Sequence, residues 1–240
     1  MSYQHKDLNL TDPTRGSLHF VMYTELRMGL AFGALNAHVT FHPQQQTPLT
    51  REWVDRLERC EPNALHCSLV SAQQEIPALF HPCVEEDKES PSAFAGSGCE
   101  CRRSFYDLEF GMPVVGEHYR TVSGNIDQWF YRTYAPLDLR PDDVFDRFIV
   151  DNGHFWVRTE KGLLSILPQQ TALGYGVGYE GGGPHALAAY LSEVAATGGK
   201  NTAAGAPYEK ADPGILAWTE SPHRTTNELT LQDLKALRRG

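Results

Sequence analysis

Six glycines fall within the ten residues Gly174-Tyr-Gly-Val-Gly-Tyr-Glu-Gly-Gly-Gly183, and Pro184 follows at once. No other stretch restricts the fold as tightly. Glycine reaches positive φ without steric cost and lets the backbone approach other groups closely, so the stretch reads as a turn. Pro184 suits the start of a helix, where its missing N–H is not needed. The pattern predicts a helix from about Pro184 to about Thr197, entered through Gly183-Pro184.

The residues before the turn are equally explicit. Phe148-Ile-Val-Asp151 and His154-Phe-Trp-Val157 flank Asn152-Gly153, and Asn-Gly supplies the two positive-φ residues of a tight hairpin turn. A second turn at Glu160-Lys161-Gly162 leads to a third strand, Leu163 to Leu167, closed by Pro168. Residues 136–198 are therefore expected to form a three-stranded antiparallel meander packed on the helix after the glycine turn. Just upstream, Pro141 with Asp142 and Asp143 has the chemistry of a helix start. That predicts two helical turns within Leu139–Arg147.

Residues 1–16 are polar, and Thr11 to Gly16 read as turn and coil. Over 17–135 the pattern is mixed. Leu18, Phe20 and Met22 alternate with His19, Val21 and Tyr23, which predicts a strand buried on both sides. Leu26–Leu35 fits helix or strand, and His38–Phe41 a short strand. Thr50 can cap a helix that carries Trp53, Val54, Leu57 and Cys60 at helical spacing. Leu65–Val70 reads as a strand, 82–99 as a polar loop, and Arg102–Phe110 as a strand or short helix. Trp129-Phe130-Tyr131 belongs in a core. Residues 199–240 read as a loop-rich tail with a terminal helix to about Arg238, opened by Thr230-Leu-Gln-Asp233 in the manner of a capping box. The resulting class is α+β, a mixed amino-terminal part followed by the meander and its helix.

Charge narrows the partners. Thirty acidic against 21 basic residues leave a net charge of −9, which argues against duplex nucleic acid, because phosphate neutralisation needs clustered Lys and Arg. Lys235, Arg238 and Arg239 form a small cationic cluster that reads as a solvated helix end. No run approaches the roughly eighteen apolar residues of a membrane span. Met1 to Asp7 lacks the apolar core of a secretory signal. Five irregularly spaced cysteines do not look like a disulfide framework. A reduced, cytoplasmic setting is expected.

Two constellations carry candidate chemistry. The amides of Gly181, Gly182 and Gly183, with His185 beside them, lie where a helix start can take a phosphate or carboxylate. Gly176-x-Gly178-x-x-Gly181 also matches a dinucleotide fingerprint as text, but no strand ends immediately before it and the helix starts too late. The competing reading is that the glycines let Tyr175, Tyr179 and the helix pack closely. The second constellation is His81-x-Cys83 with Cys99-x-Cys101, near His66-Cys67. Thiolates and imidazoles of this kind hold zinc, although the spacing is unusual and the intervening loop long. Gly116-Glu117-His118-Tyr119-Arg120 and Asp127 form the most reactive polar group, yet consecutive strand residues cannot all face one way. His154, just after the hairpin turn, is expected to face solvent. No serine-hydrolase elbow, zincin or kinase signature is present.

Gly178-Tyr-Glu-Gly-Gly-Gly-Pro-His-Ala-Leu-Ala-Ala-Tyr-Leu191 resembles the signature of an uncharacterised domain family of phages, plasmids and bacterial genomes. That signature runs roughly Gly-Tyr-Gly-Gly-Ser/Thr-Gly-Pro-x-x-Leu-Ala-x-x-Leu after a short meander. Glu180 stands where the family has glycine, and Gly182 where it has a small hydroxyl residue. The resemblance is confined to residues 145–195 and implies a mobile-element origin without an activity. The function expected is an accessory or interaction protein of a mobile genetic element, binding a host protein or a small anionic ligand. The alternative is an enzyme or sensor that takes an anionic or nucleotide ligand at the glycine turn.

Overall fold

Strand pairing organises the chain into two antiparallel sheets, and helices accompany them, so the class is α+β. The computed structural model describes residues 36–42, 45–63, 65–66, 69, 79–80, 102–121, 127–170, 174–205, 211–222 and 227–238. The first of two units holds the described residues before Gln44 together with those of Leu57–Tyr134. The second holds Gln44–Arg56 and Ala135–Gly240. The strand expected at 17–24 and the loop expected at 82–99 lie outside the described residues.

The first unit is built from β1 (His38–Phe41), β2 (Glu58–Cys60), β3 (Leu79–Phe80), β4 (Arg102–Asp107), β5 (Met112–Thr121) and β6 (Asp127–Tyr134). Their order is β1-β6-β5-β4-β2, with β3 also paired to β5. Gly116 sits in mid-strand because its neighbours are large. A Cβ there would stand 3.2 Å from both the Phe105 and the Tyr131 ring, which cover the bare glycine as aromatics do beside strand glycines. Phe41, Val114 and Thr133 are buried on that face, and Val115 and Tyr134 pack with Leu69 on the other. Phe130 is buried, while Trp129 and Tyr131 are half-buried.

Two expectations fail in this unit. Cys60 is not the end of a helix but lies in β2, opposite Ser104, because strand pairing outweighs its helical spacing. Leu65, His66 and Leu69 are helical rather than extended. The Asn63 side-chain oxygen accepts from the N–H groups of Leu65 and His66 at 3.0 and 3.4 Å, a local capping bond that favours helix over strand.

The second unit opens with α1 (Pro48–Asp55), capped by Thr47. Thr50 lies inside its first turn, where its hydroxyl donates to Gln45 O at 3.2 Å. Pro48, preset for a first helical position, moves the cap three residues upstream of the expected one. Arg140–Asp143 forms one turn and no helix: Asp143 N–H donates to Arg140 O at 2.9 Å. The Arg140 guanidinium then grips the buried Asp143 carboxylate at 2.6 and 2.9 Å, and the chain runs straight into β7 (Phe145–Asp151).

β7, β8 (His154–Thr159) and β9 (Leu164–Ile166) pair in succession. Asn152 and Gly153 take φ of 49° and 83°, the positive pair that the hairpin turn demands. β10 (Asn227–Thr230) adds itself outside β7, giving a four-stranded sheet in the order β10-β7-β8-β9. On one face α1 packs Trp53 near Trp156, with ring centroids 6.4 Å apart. There Glu52 holds Arg158 through two bonds of 2.8 and 2.9 Å.

On the other face lie α2 (Gly182–Ala196) and α3 (Pro213–Glu220). Trp218 of α3 meets Phe148 edge-on at 6.0 Å, and Tyr190 of α2 reaches Phe155 through Tyr175. Ten of the fifteen α2 residues are buried, as a helix apolar over most of its surface requires. It begins two residues earlier than expected, and Pro184 is tolerated because first-turn N–H groups have no helical partner. The tail is more structured than its composition suggests, since α3, β10 and α4 (Leu231–Leu237) all lie in it. The Thr230–Asp233 capping box is formed at the start of α4.

Candidate functional site

Tyr179 organises the glycine turn. A Cβ at Gly176 would stand 2.5 Å from the Tyr179 hydroxyl, and one at Gly181 would stand 2.8 Å from Cε2 of its ring. A Cβ at Gly183 would collide with the same hydroxyl and come within 3.1 Å of Gly176 N. Three glycines thus make room for one ring, which still keeps 52% of its surface in water. Gly178 answers a different need: its φ is +86°, in the region that favours glycine. Its N–H donates to Thr219 O at 2.8 Å, and the Thr219 hydroxyl donates to Pro184 O at 3.2 Å. Helix α3 therefore holds both the turn and the start of α2.

The four expected ligand residues lie together in this place. Gly181 is the residue before α2, without a side-chain cap, and Gly182 and Gly183 open the helix. The N–H of His185 donates to Gly181 O at 3.2 Å. The His185 ring is exposed, with Nε2 3.8 Å from Glu220 Oε1. An anion at this helix start would meet the Tyr179 ring against the backbone and two carboxylates, Glu180 and Glu220. Each carboxylate opposes a negative ligand by simple Coulomb repulsion.

His81, Cys83, Cys99 and Cys101 lie outside the described residues. The strands that bracket them are informative. Arg120 of β5 pairs with Asp127 on one side, so its other partner, Phe80, must lie along the edge that β4 occupies. Phe80 stands opposite Arg120 and Arg102 opposite Glu117. The chain therefore leaves β3 and enters β4 three register positions apart, about 10 Å. Among the described residues no group of three His, Cys, Asp or Glu side chains is placed to hold a metal.

Cys60 and His66 make a thiol–imidazole contact of 3.6 Å that the sequence did not signal. His66 Nε2 lies 2.9 Å from Phe105 O, so it is the protonated nitrogen and donates there. Nδ1 faces the Asn63 N–H at 3.2 Å and the Asn63 Oδ1 at 2.9 Å. With Nε2 committed as a donor, His66 is no base for the thiol. Burial and the Glu61 carboxylate also push the Cys60 thiol up, which withholds the thiolate that nucleophilic chemistry needs.

The polar run on β5 divides as alternation demands. Glu117 is buried on one face in an ion pair with the buried Arg132 of β6. On the opposite face His118 stacks on Trp129, with centroids 5.0 Å apart, and the Arg103 guanidinium lies 4.5 Å over the same Trp129 ring. Arg103 and Arg132 went unnoticed in the sequence because only strand register brings them to Trp129 and Glu117. His154 is half-buried beside the hairpin turn rather than exposed.

Comparison with protein-family models, with curated proteins and with solved structures finds no match to this chain. Among the described residues no helix is long and apolar enough to cross a membrane.

Proposed function

We propose that this chain is an interaction protein that docks a partner protein through Tyr179 and the glycine turn. The observation that carries the reading is the cleared seat around an exposed ring. Gly176, Gly181 and Gly183 let the ring lie directly against the backbone, although half its surface remains in water. An aromatic side chain immobilised before contact loses little further entropy on binding, which is how interface anchors act. Glu180 and His185 are exposed beside it, giving a polar rim.

The mobile-element setting rests on the resemblance of Gly178–Leu191. Gly182, where that signature carries a small hydroxyl residue, has open space in place of a Cβ. The alternative, an enzyme or sensor with an anionic or nucleotide ligand at Gly181–His185, draws on the missing side-chain cap of α2.

A photo-crosslinking phenylalanine analogue at position 179 tests the docking reading in the native host. A discrete adduct is expected at 179 and none at the exposed control position Glu160. An adduct pattern shared by both positions would contradict it. So would a melting-temperature rise with nucleotides or inorganic phosphate that Tyr179→Ala enhances, which favours the anion site instead.

A further inference from the structure

We infer that the partner protein docked at Tyr179 presents a cationic surface and lays an arginine side chain on the exposed face of the ring, within reach of Glu180 and Glu220. The inference rests on the docking reading and adds to it the chemistry of what is bound.

The ring offers a face. Backbone crowds its rim from several directions. A Cβ at Gly176 would meet the hydroxyl, Cε1 and Cζ, one at Gly181 would meet Cε2 and Cδ2, and one at Gly183 the hydroxyl again. Both edges and the phenol end are thus in contact, so the 52% of Tyr179 that stays in water is largely the face turned away from the glycines. Among the described residues no ring and no cation stacks on that face. The negative π-surface of such a face attracts a cation.

Charge around the ring has one sign. Glu180 follows Tyr179 directly and is exposed. Glu220 is brought to the turn by α3, because the N–H of Gly178 donates to the oxygen of the preceding residue, Thr219, at 2.8 Å. Among the described residues Glu180 has no ionic partner. Glu220 has the His185 ring, with Nε2 3.8 Å away, beyond hydrogen-bond length. No Lys or Arg occurs between Lys161 and Lys200, and none within α3.

An arginine answers all three groups at once. Its guanidinium is planar, so it lies flat on an aromatic ring while its N–H groups fork toward carboxylates at the side. A lysine ammonium is a compact, strongly hydrated point charge and gives up more water for fewer directed bonds. An aliphatic or acidic side chain would leave both carboxylates unmatched.

Gly182 supplies the probe position. Its chain neighbours and its own helix aside, nothing lies within 4 Å of a Cβ there. A photo-crosslinking phenylalanine analogue at 182, in the native host, therefore leaves Tyr179 and both carboxylates intact. A discrete adduct is expected, and the partner peptide in it should contain arginine. Glu180→Lys should lower the adduct yield roughly tenfold, and Glu180→Gln or Glu220→Gln roughly threefold, as loss of a complementary rim charge does. Tyr179→Leu, which keeps apolar bulk without a π-face, should lower it roughly tenfold. Glu160→Lys, the same change in net charge elsewhere, should leave it unchanged. An adduct indifferent to the Glu180 and Glu220 variants would overturn the cationic partner and leave the docking reading standing. So would equal weakening by Glu160→Lys, or a partner peptide without arginine. Absence of any adduct at both 179 and 182 would overturn the two together.

Discussion

The first unit keeps a full ion pair inside: Glu117 and Arg132 are 1% and 3% exposed. His66 is as deeply buried. The second unit places Glu52–Arg158 and Arg147–Glu228 at its surface and fills its sheet faces with Trp53, Trp156, Phe148 and Trp218. Asp143 is an exception, buried but gripped by a partly exposed Arg140. The two sheets share an antiparallel plan, and what differs is how each would respond to losing a charge. A buried ion pair stabilises little over a hydrophobic replacement, but breaking it strands a charge in a poor solvent. A surface pair is screened and is worth far less.

The sharpest way to break this contrast is Arg132→Met. It leaves the Glu117 carboxylate buried without its guanidinium and should destabilise the first unit by about 3–5 kcal/mol. Urea unfolding followed by hydrogen exchange of β5 and β6 measures it. A loss under about 1 kcal/mol, the range of a surface pair, would erase the distinction between the units.

Acidification separates them more gently. Burial holds His38 and His66 below the ordinary histidine range, and burial with the Arg132 charge does the same to His42. The unfolded chain protonates these rings first, near pH ~6.5. Between that value and the lower folded values it holds more protons, so the first unit loses stability as pH falls through this window. In the second unit the Arg158 hydrogen bond holds Glu52 low, and Thr230 holds Asp233 low. Their contribution is present above the usual carboxylate value near ~4 and is lost only as pH falls below it. Hydrogen exchange corrected for its intrinsic pH dependence should show β1, β4 and β6 loosening by pH ~5.5, before α1 or α4. The reverse order would contradict the assignment.

The same contrast explains what was legible in the sequence. The Asn152-Gly153 hairpin, the glycine turn and the Thr230–Asp233 box act over a few residues, and each is readable from those residues alone. β2, β10 and the Glu117–Arg132 pair depend on partners 44–48, 77–83 and 15 positions away by register or contact. No local pattern encodes them. Asp212-Pro213 was readable in principle, since Asp212 caps α3 by accepting from Gly214 N–H at 3.0 Å. The Gly-, Ala- and Pro-rich residues around it concealed that signal. Leu139–Arg147 erred the other way: Pro141 and its acidic neighbours have helix-start chemistry, but the Arg140–Asp143 ion pair and strand β7 claim them. At the candidate site the sequence located the glycines and His185, whereas the role of Tyr179 needed its ring in space.

The central claim is that the glycines exist to seat Tyr179, and Gly181 gives the cleanest access to it. Among the described residues, Gly181's chain neighbours aside, only Tyr179 atoms lie within 4 Å of where its Cβ would be, and its φ of 164° is open to any residue. Alanine caps a helix less well than glycine, but in a double-mutant cycle that cost is the same with and without the ring. Thermal unfolding of Gly181→Ala, Tyr179→Ala and the double variant should give a coupling of about 1–2 kcal/mol, Gly181→Ala being harmful mainly while the ring is present. Additive effects within about 0.5 kcal/mol would mean that the glycines serve some other need and that Tyr179 is not seated by them.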